Sequence, residues 1–194
     1  MYPVKVLGPG NRVGIWMSGC IHQCPGCSNP ELWRQEDRHK TNLETVMELI
    51  NLIAKQNTID GFTITGGDPF YQPEALQTIV HAIRPISEDI LIYTGYQYEE
   101  LPTNIINQVA AVIDGKYEAD KNSGEILRGS SNQRIIVKEE YRALYDDYMK
   151  HGESKIQNFT TKDGIISVGI HLPGYELELK KAALRKGLEE IKNG

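Results

Sequence analysis

The chain has only three cysteines, and all three lie within one eight-residue run, Cys20-x3-Cys24-x2-Cys27. Gly19 and Gly26, before and inside the run, allow the backbone to turn tightly, so the three thiolates are expected to converge on one point. Thiolates are soft ligands that suit zinc and iron–sulfur clusters. An odd number of clustered cysteines is a poor disulfide framework and fits a reducing compartment. The run therefore predicts a metal-binding loop.

Three kinds of site are compatible with this spacing. A structural zinc site could use the cysteines and His22, but structural zinc usually takes its ligands from two separated pairs, and the chain has no second pair. A thioredoxin-like redox pair at Cys24 and Cys27 leaves Cys20 without a role. In a four-iron cluster, three cysteines leave one iron without a protein ligand, and an open position on a metal usually marks catalysis. The spacing favours the cluster and leaves the other two readings open.

Apolar segments of strand length alternate with amphipathic helical segments along the 194 residues. This alternation is typical of an α/β fold in which helices cover a mostly parallel sheet. We expect a single domain over residues 1–194, because no repeat or linker interrupts the pattern. The predicted strands are 12–17, 61–65, 89–94, 110–114, 134–138 and 165–170. The predicted helices are one opened by a capping box at Thr41 and Glu44, one between Pro73 and Pro85, and 105–109, 139–150 and 176–192.

Two candidate functional segments directly follow predicted strands. The cysteine run follows strand 12–17, and a Gly66-Gly67 turn follows strand 61–65. In open parallel sheets, catalytic groups sit in the loops after the carboxyl ends of the strands. We therefore expect both segments to face one cleft.

The charge balance limits the classes of partner. The 21 basic and 26 acidic side chains give a net charge of −5, which argues against nonspecific binding to nucleic acid or to an anionic membrane. No apolar run approaches the roughly 20 residues needed to span a bilayer, and residues 1–10 lack the apolar core of a signal peptide. The expected location is the cytoplasm.

The motifs together resemble a known superfamily. The cysteine run, followed after the next strand by 65–69 (TGGDP), resembles the radical S-adenosylmethionine enzymes. Within that superfamily, 19–29 (GCIHQCPGCSN), 114–117 (DGKY) and 128–134 (RGSSNQR) resemble the activating enzymes of anaerobic ribonucleotide reductase. The resemblance covers about the first two-thirds of the chain. Gly26 and Asp68 stand where many superfamily members have an aromatic residue and a glutamate, and both fit the activase subfamily.

The resemblance implies a fold, two cofactors and a set of site residues. The fold would be a partial (β/α)6-type barrel with the cluster and cofactor at the C-terminal edge of the sheet. Cys20, Cys24 and Cys27 would bind a [4Fe–4S] cluster, and S-adenosylmethionine would chelate the fourth iron. The residues expected to contact S-adenosylmethionine are Gly26, Ser28, Gly66, Gly67, Asp68, Asp114, Lys116 and Asn132. Without side chains, Gly66 and Gly67 would let the backbone approach the methionine moiety, and Asp68 could accept from its ammonium group. An ordinary Gly-Gly and Asp-Pro turn is the simpler alternative.

The implied reaction is glycyl-radical activation. The cluster would reduce S-adenosylmethionine, and the resulting 5′-deoxyadenosyl radical would take a hydrogen atom from a glycine of anaerobic ribonucleotide reductase. With no further cysteines for auxiliary clusters, electrons would come from a low-potential donor such as flavodoxin, under anaerobic conditions. Another small radical enzyme, such as a 7-carboxy-7-deazaguanine synthase-like protein or the activase of a different glycyl-radical enzyme, is an alternative, as is a zinc-binding module.

The C-terminal third carries no distinctive motif. His171 either faces the cleft or is a satisfied loop histidine. The last predicted helix presents four apolar side chains in register, which we expect to close the core, with docking of the partner as the alternative: Leu177, Leu184, Leu188 and Ile191.

Overall fold

The computed structural model describes residues 1–152, 156–161, 164–172 and 174–187. Its centre is a five-stranded sheet in which sequence neighbours are also spatial neighbours. The strands in order are β1 (Arg12–Met17), β2 (Gly61–Gly66), β3 (Ile90–Tyr93), β4 (Ala111–Asp114) and β5 (Arg134–Val137). The first four strands run parallel, and β5 is antiparallel to β4. The predicted α/β class with a mostly parallel sheet is confirmed, and each of these strands lies within a residue or two of its predicted range.

The predicted (β/α)6-type barrel is not confirmed. Instead of extending the first sheet, the later strands form a separate antiparallel hairpin of β6 (Ile156–Thr161) and β7 (Gly164–Gly169). The sequence predicted β7 but missed β6, because the segment IQNFTT is largely polar and does not read as a buried strand. Within the described ranges the architecture is a five-stranded sheet with an added hairpin.

One face of the sheet packs against three helices. They are α1 (Leu43–Ala54), α2 (Pro73–Ile83) and the single turn α3 (Thr103–Ile106). Buried side chains of the sheet, including Phe62, Ile64 and Ile92, form the main core with these helices. Several helix starts differ from prediction, by up to three residues at Arg142. The cap of α1 is Asn42, whose side chain accepts from Thr45 N at 2.8 Å, so the predicted capping box at Thr41 is wrong, and α3 begins two residues early.

The other face is covered by α4 (Arg142–His151) and by the N-terminal segment. Beneath α4, at the amino end of β1, Arg12 is fully buried. Its guanidinium donates to Asp89 Oδ2 at 2.6 Å, to Thr63 Oγ1 at 2.8 Å and to Phe62 O at 2.6 Å, and Tyr145 Oη donates to Asp89 Oδ1 at 2.7 Å. This network fills the amino end of the sheet, and the cysteines follow the opposite end of β1.

The last helix, α5 (Tyr175–Arg185), does not close the core as predicted. Leu177 and Leu184 are 57% and 63% exposed, while Leu188 and Ile191 lie outside the described residues. The reason is that the sheet face opposite α1, α2 and α3 is already covered by α4, the N-terminal segment and the hairpin. In the part of the chain that the structure describes, no helix has both the length and the apolar character needed to cross a membrane.

Candidate metal and cofactor cleft

The cysteine loop leaves β1 and is fixed at once by backbone hydrogen bonds. Gly19 N donates to Leu32 O at 2.8 Å, and Cys20 N donates to Trp33 O at 3.0 Å. On the other side, Asp68 N donates to Gly19 O at 2.8 Å. The start of the loop is therefore sandwiched between the turn after β2 and the 30–33 segment. This arrangement sets the position of Cys20 before any ligand binds.

The two glycines of the turn after β2 permit this close packing. A Cβ on Gly67 would lie 2.5 Å from Gly19 O and 2.6 Å from Leu32 O, and a Cβ on Gly66 would collide with the backbone of Met17. Gly66 also has φ +117°, a value that side chains disfavour. The crowded face of Gly67 is turned to the cysteine loop and that of Gly66 to the end of β1, so both glycines permit a close approach of two backbones.

The three cysteines are unpaired thiols, with Cys20 buried and the other two half-buried. Asn29 N donates to Cys27 Sγ at 3.4 Å. Burial raises the pKa of the Cys24 thiol, and a hydrogen bond from the Tyr117 backbone partly offsets that increase. Backbone N–H groups directed at sulfur favour thiolate and tune the clusters that thiolates bind.

The donor set of the loop suits an iron–sulfur cluster. Three thiolates from one loop can each bind a different iron, because the ligands of a cluster are distributed over several irons. Among the described residues, no three His, Cys, Asp or Glu side chains form a compact group for a single metal ion.

A cleft of about 420 Å³ opens at the carboxyl end of the sheet, beside the cysteines. Of the predicted site residues, those that line it are Cys20, Cys24, Cys27, Ser28, Gly67 and Asp68. The others lie outside its lining: Gly26, Gly66, Asp114, Lys116 and Asn132. Three buried polar atoms of its lining residues, His22 Nε2, Trp33 Nε1 and Tyr93 Oη, have no hydrogen-bond partner in the described part of the chain. The orphaned groups suit a polar ligand, as S-adenosylmethionine would be.

The Asp68 carboxylate is buried and already accepts several hydrogen bonds from the protein. Thr94 Oγ1 lies 3.0 Å from both of its oxygens, Gly95 N donates to Oδ2 at 2.8 Å, and Phe70 N donates to Oδ1 at 3.0 Å. His22 Nε2, from the cysteine loop, lies 3.2 Å from Oδ2. Asp68 thus connects the loops that follow β1, β2 and β3. This connection could not be predicted from the sequence, because Thr94 and Gly95 carry no motif of their own.

Replacement of Asp68 by alanine is expected to lower the free energy of unfolding by at least about 2 kcal/mol, because each buried donor left without an acceptor costs about 1–3 kcal/mol. Urea unfolding followed by far-UV circular dichroism measures the change. Asp68→Asn retains one acceptor oxygen and should lose less. Equal stability of the alanine variant and the parent protein would show that these hydrogen bonds contribute nothing.

The remaining predicted residues organise the wall formed by the ends of β4 and β5. Asp114 is buried, accepts from Tyr98 N at 2.7 Å and forms an ion pair with Arg134. Hydrogen bonds to Asp114 and Glu99 raise the pKa of Arg134, so the guanidinium stays charged. Asn132 Nδ2 donates to Lys116 O at 2.8 Å, while Asn132 Oδ1 is buried without a hydrogen-bond partner in the described residues.

The hairpin and the residues after it form one wall of the cleft, in which only His171 was singled out from the sequence. Residues 166–171 line the cleft, His171 among them. His171 Nε2 lies 3.0 Å from Ser167 Oγ, and its ring stacks on Tyr175 with centroids 4.8 Å apart. Burial lowers the pKa of His171, which favours the neutral imidazole. Of the two readings of His171, the structure gives the one in which it faces the cleft.

Comparison with known proteins agrees with this geometry. Residues 6–136 match the family described as "4Fe-4S single cluster domain". The chain is 36% identical over 142 residues to the anaerobic ribonucleoside-triphosphate reductase-activating protein of Enterobacteria phage T4, covering 70% of this chain and 90% of the relative. It is 34% identical over 145 residues to the protein of the same name from Escherichia coli K12, covering 69% and 94%. No solved structure matches the chain.

Proposed function

Because the chain belongs to the family of anaerobic ribonucleoside-triphosphate reductase-activating proteins, we propose that it activates an anaerobic ribonucleotide reductase by radical S-adenosylmethionine chemistry. The observation that carries the proposal is the cleft at the carboxyl edge of the sheet, which three cysteines and the Gly67-Asp68 turn line together. Three thiolates suit a [4Fe–4S] cluster whose fourth iron is left for S-adenosylmethionine.

When bound, the cluster and S-adenosylmethionine would supply reductive cleavage of the sulfonium, with one electron from a low-potential donor such as flavodoxin, and through it hydrogen-atom abstraction from a glycine Cα of the reductase. The chain's own residues position and shield these groups. Cys20, Cys24 and Cys27 bind the cluster. Gly67 and Asp68 fix the loop that carries Cys20, through Gly19 O and His22. The reaction belongs in a reducing, anaerobic cytoplasm.

The remaining predicted cofactor residues differ in how directly they would contact S-adenosylmethionine. Ser28 lines the cleft and can contact the cofactor directly. Asn132 presents a buried oxygen without a protein partner, which a donor group of S-adenosylmethionine could use. The Asp114 carboxylate is paired with Arg134, so we assign it to positioning the 114–117 segment, which includes Lys116. Gly26 permits the positive φ of +74° that the backbone adopts at this point of the cysteine loop.

Anaerobic purification followed by three measurements tests the proposal. We expect about four irons and four sulfides per chain from the chemistry of a single cubane, cleavage of S-adenosylmethionine that requires a reductant, and a glycyl-radical signal in electron paramagnetic resonance after incubation with the reductase. A reductase variant whose radical glycine is alanine is the control and should give no signal. A colourless protein with one zinc would overturn the cluster assignment, and cofactor cleavage without a glycyl radical would overturn the activase assignment.

A further inference from the structure

The strand β7 has one unpaired edge. In the described part of the chain it pairs with β6 alone, in a sheet of two strands. A strand with a single neighbour leaves a row of main-chain N–H and C=O groups free on its other side. Such an edge can accept a further strand from another polypeptide.

This edge lies along the cleft. The consecutive residues 166–170 all contribute to the cleft lining, although side chains alternate between the two faces of a strand. Val168 packs with Val4, Val6 and Leu7 in a small core, and both Val168 and Leu7 also line the cleft. Residues from both faces of β7 thus contribute to the lining, whereas no described residue of β6 does. The cleft therefore borders β7 on the side away from β6.

The hairpin is held so that β7, and not β6, borders the cleft. The Gln157 side chain of β6 accepts from Lys5 N at 3.0 Å and donates to Pro3 O at 2.8 Å, which ties β6 to the N-terminal segment. Beyond the carboxyl end of β7, Asn122 Nδ2 donates to His171 O at 2.7 Å and to Tyr117 Oη at 3.0 Å. Because Gln157 pairs with Val168, both contacts lie near this end of the strand, and they preorganise this part of the edge for a ligand.

The chemistry of the cleft fits a polypeptide main chain. The residues that line the cleft include Gly95, Gly115 and Gly129, so parts of its wall are main chain without side chains. At the rim, Ile165, Ile166 and Leu172 are exposed apolar side chains able to contact the side chains of a docked strand. Residues 156–171 lie beyond the range 6–136 that matches the family, so nothing in that match assigns them a role.

We propose that the edge of β7 docks the glycine-bearing segment of the partner reductase as an added β-strand. This inference rests on the proposed function, because it assumes that the substrate is a main-chain glycine. Strand addition fixes the register of the segment through main-chain hydrogen bonds. It thereby selects which Cα–H is presented to the cysteine side of the cleft.

The test uses the intact protein, loaded with cluster and cofactor, and a fluorescent synthetic peptide covering the reductase's glycine segment. Each amide of the peptide is replaced in turn by an ester, which removes one N–H donor. Because only alternate amides of an added strand face its neighbour, we expect every second ester to weaken binding by about three- to tenfold. Fluorescence anisotropy gives the dissociation constants. Absence of peptide binding, or ester effects without a period of two, overturns the docking proposal.

Two protein variants locate the binding edge. Ile166→Asp places a charge at the edge and is expected to weaken peptide binding at least about tenfold. Leu49→Asp, an equally exposed apolar position on α1, should leave peptide binding unchanged. Equal effects of the two variants would overturn the assignment to β7. A glycyl radical formed on the intact reductase without alternating ester effects rejects the docking alone, whereas alternating effects without a radical reject the proposed function alone.

Discussion

Replacement of Asp89 by alanine is expected to lower the free energy of unfolding by about 3–5 kcal/mol, because it leaves a buried arginine without its counter-ion. Arg12 is 0% exposed and reaches both carboxylate oxygens of Asp89, at 2.6 and 3.3 Å. Burial acts to lower the pKa of Arg12, but the nearby Tyr145 and Asp89 outweigh it and the pKa is raised. Because arginine is not deprotonated in proteins, the guanidinium stays charged when Asp89 is lost and is left buried without its counter-ion.

Urea unfolding at pH 7 measures this effect. The matched control is Glu88→Ala, which removes the neighbouring carboxylate from an exposed pair with Arg84 and should cost less than about 1 kcal/mol. A double replacement, Arg12→Met with Asp89→Leu, removes both charges and should recover part of the lost stability. A similar small loss in Asp89→Ala and Glu88→Ala would show that the buried pair does not stabilise the fold.

The central sheet could be predicted because its strands are short and continuously apolar. Segments such as 61–65 and 89–94 have few alternatives once turn residues bound them on both sides. The direction of β5 was harder to predict, although the sequence contains a hint. The segment 115–133 between β4 and β5 has no amphipathic helix, and parallel neighbours need a crossover that is usually helical. An antiparallel β5 is the consequence.

The site was predictable in its motifs but not in its contacts. The rule that loops after parallel strands share one edge brought Cys20 and Gly67 together correctly. The partners of Asp68 could not be predicted, because Thr94 and Gly95 are 26 and 27 residues away and have ordinary side chains. The same holds for the β7 wall, whose position depends on two polar side chains, Gln157 and Asn122, and on a small apolar cluster. Long-range contacts of common residues leave no local pattern.

Replacement of Gly67 by alanine is expected to reduce the rate of S-adenosylmethionine cleavage by about 100-fold, the typical effect of a displacement near 1 Å in a reacting site. The added Cβ would lie 2.5 Å from Gly19 O and 2.6 Å from Leu32 O. Both are backbone atoms in the two segments that fix Cys20, so relief of the contact must move the cysteine loop. Iron and sulfide content of the anaerobically reconstituted variant, together with the cleavage rate, measures the result.

The control for this variant is Gly129→Ala, a second cleft-lining glycine. Its added Cβ would lie 3.0 Å from Cδ2 of the Tyr117 ring, the nearest atom. A side chain can shift by a few tenths of an ångström where two hydrogen-bonded backbones cannot, so we expect the control to retain its cluster and most of its activity. If Gly67→Ala keeps a full cluster and cleaves S-adenosylmethionine within threefold of the parent rate, close packing of the two loops is not what positions Cys20. In that case the glycine would serve the cofactor directly, and S-adenosylmethionine affinity, not cluster content, would be the quantity that falls.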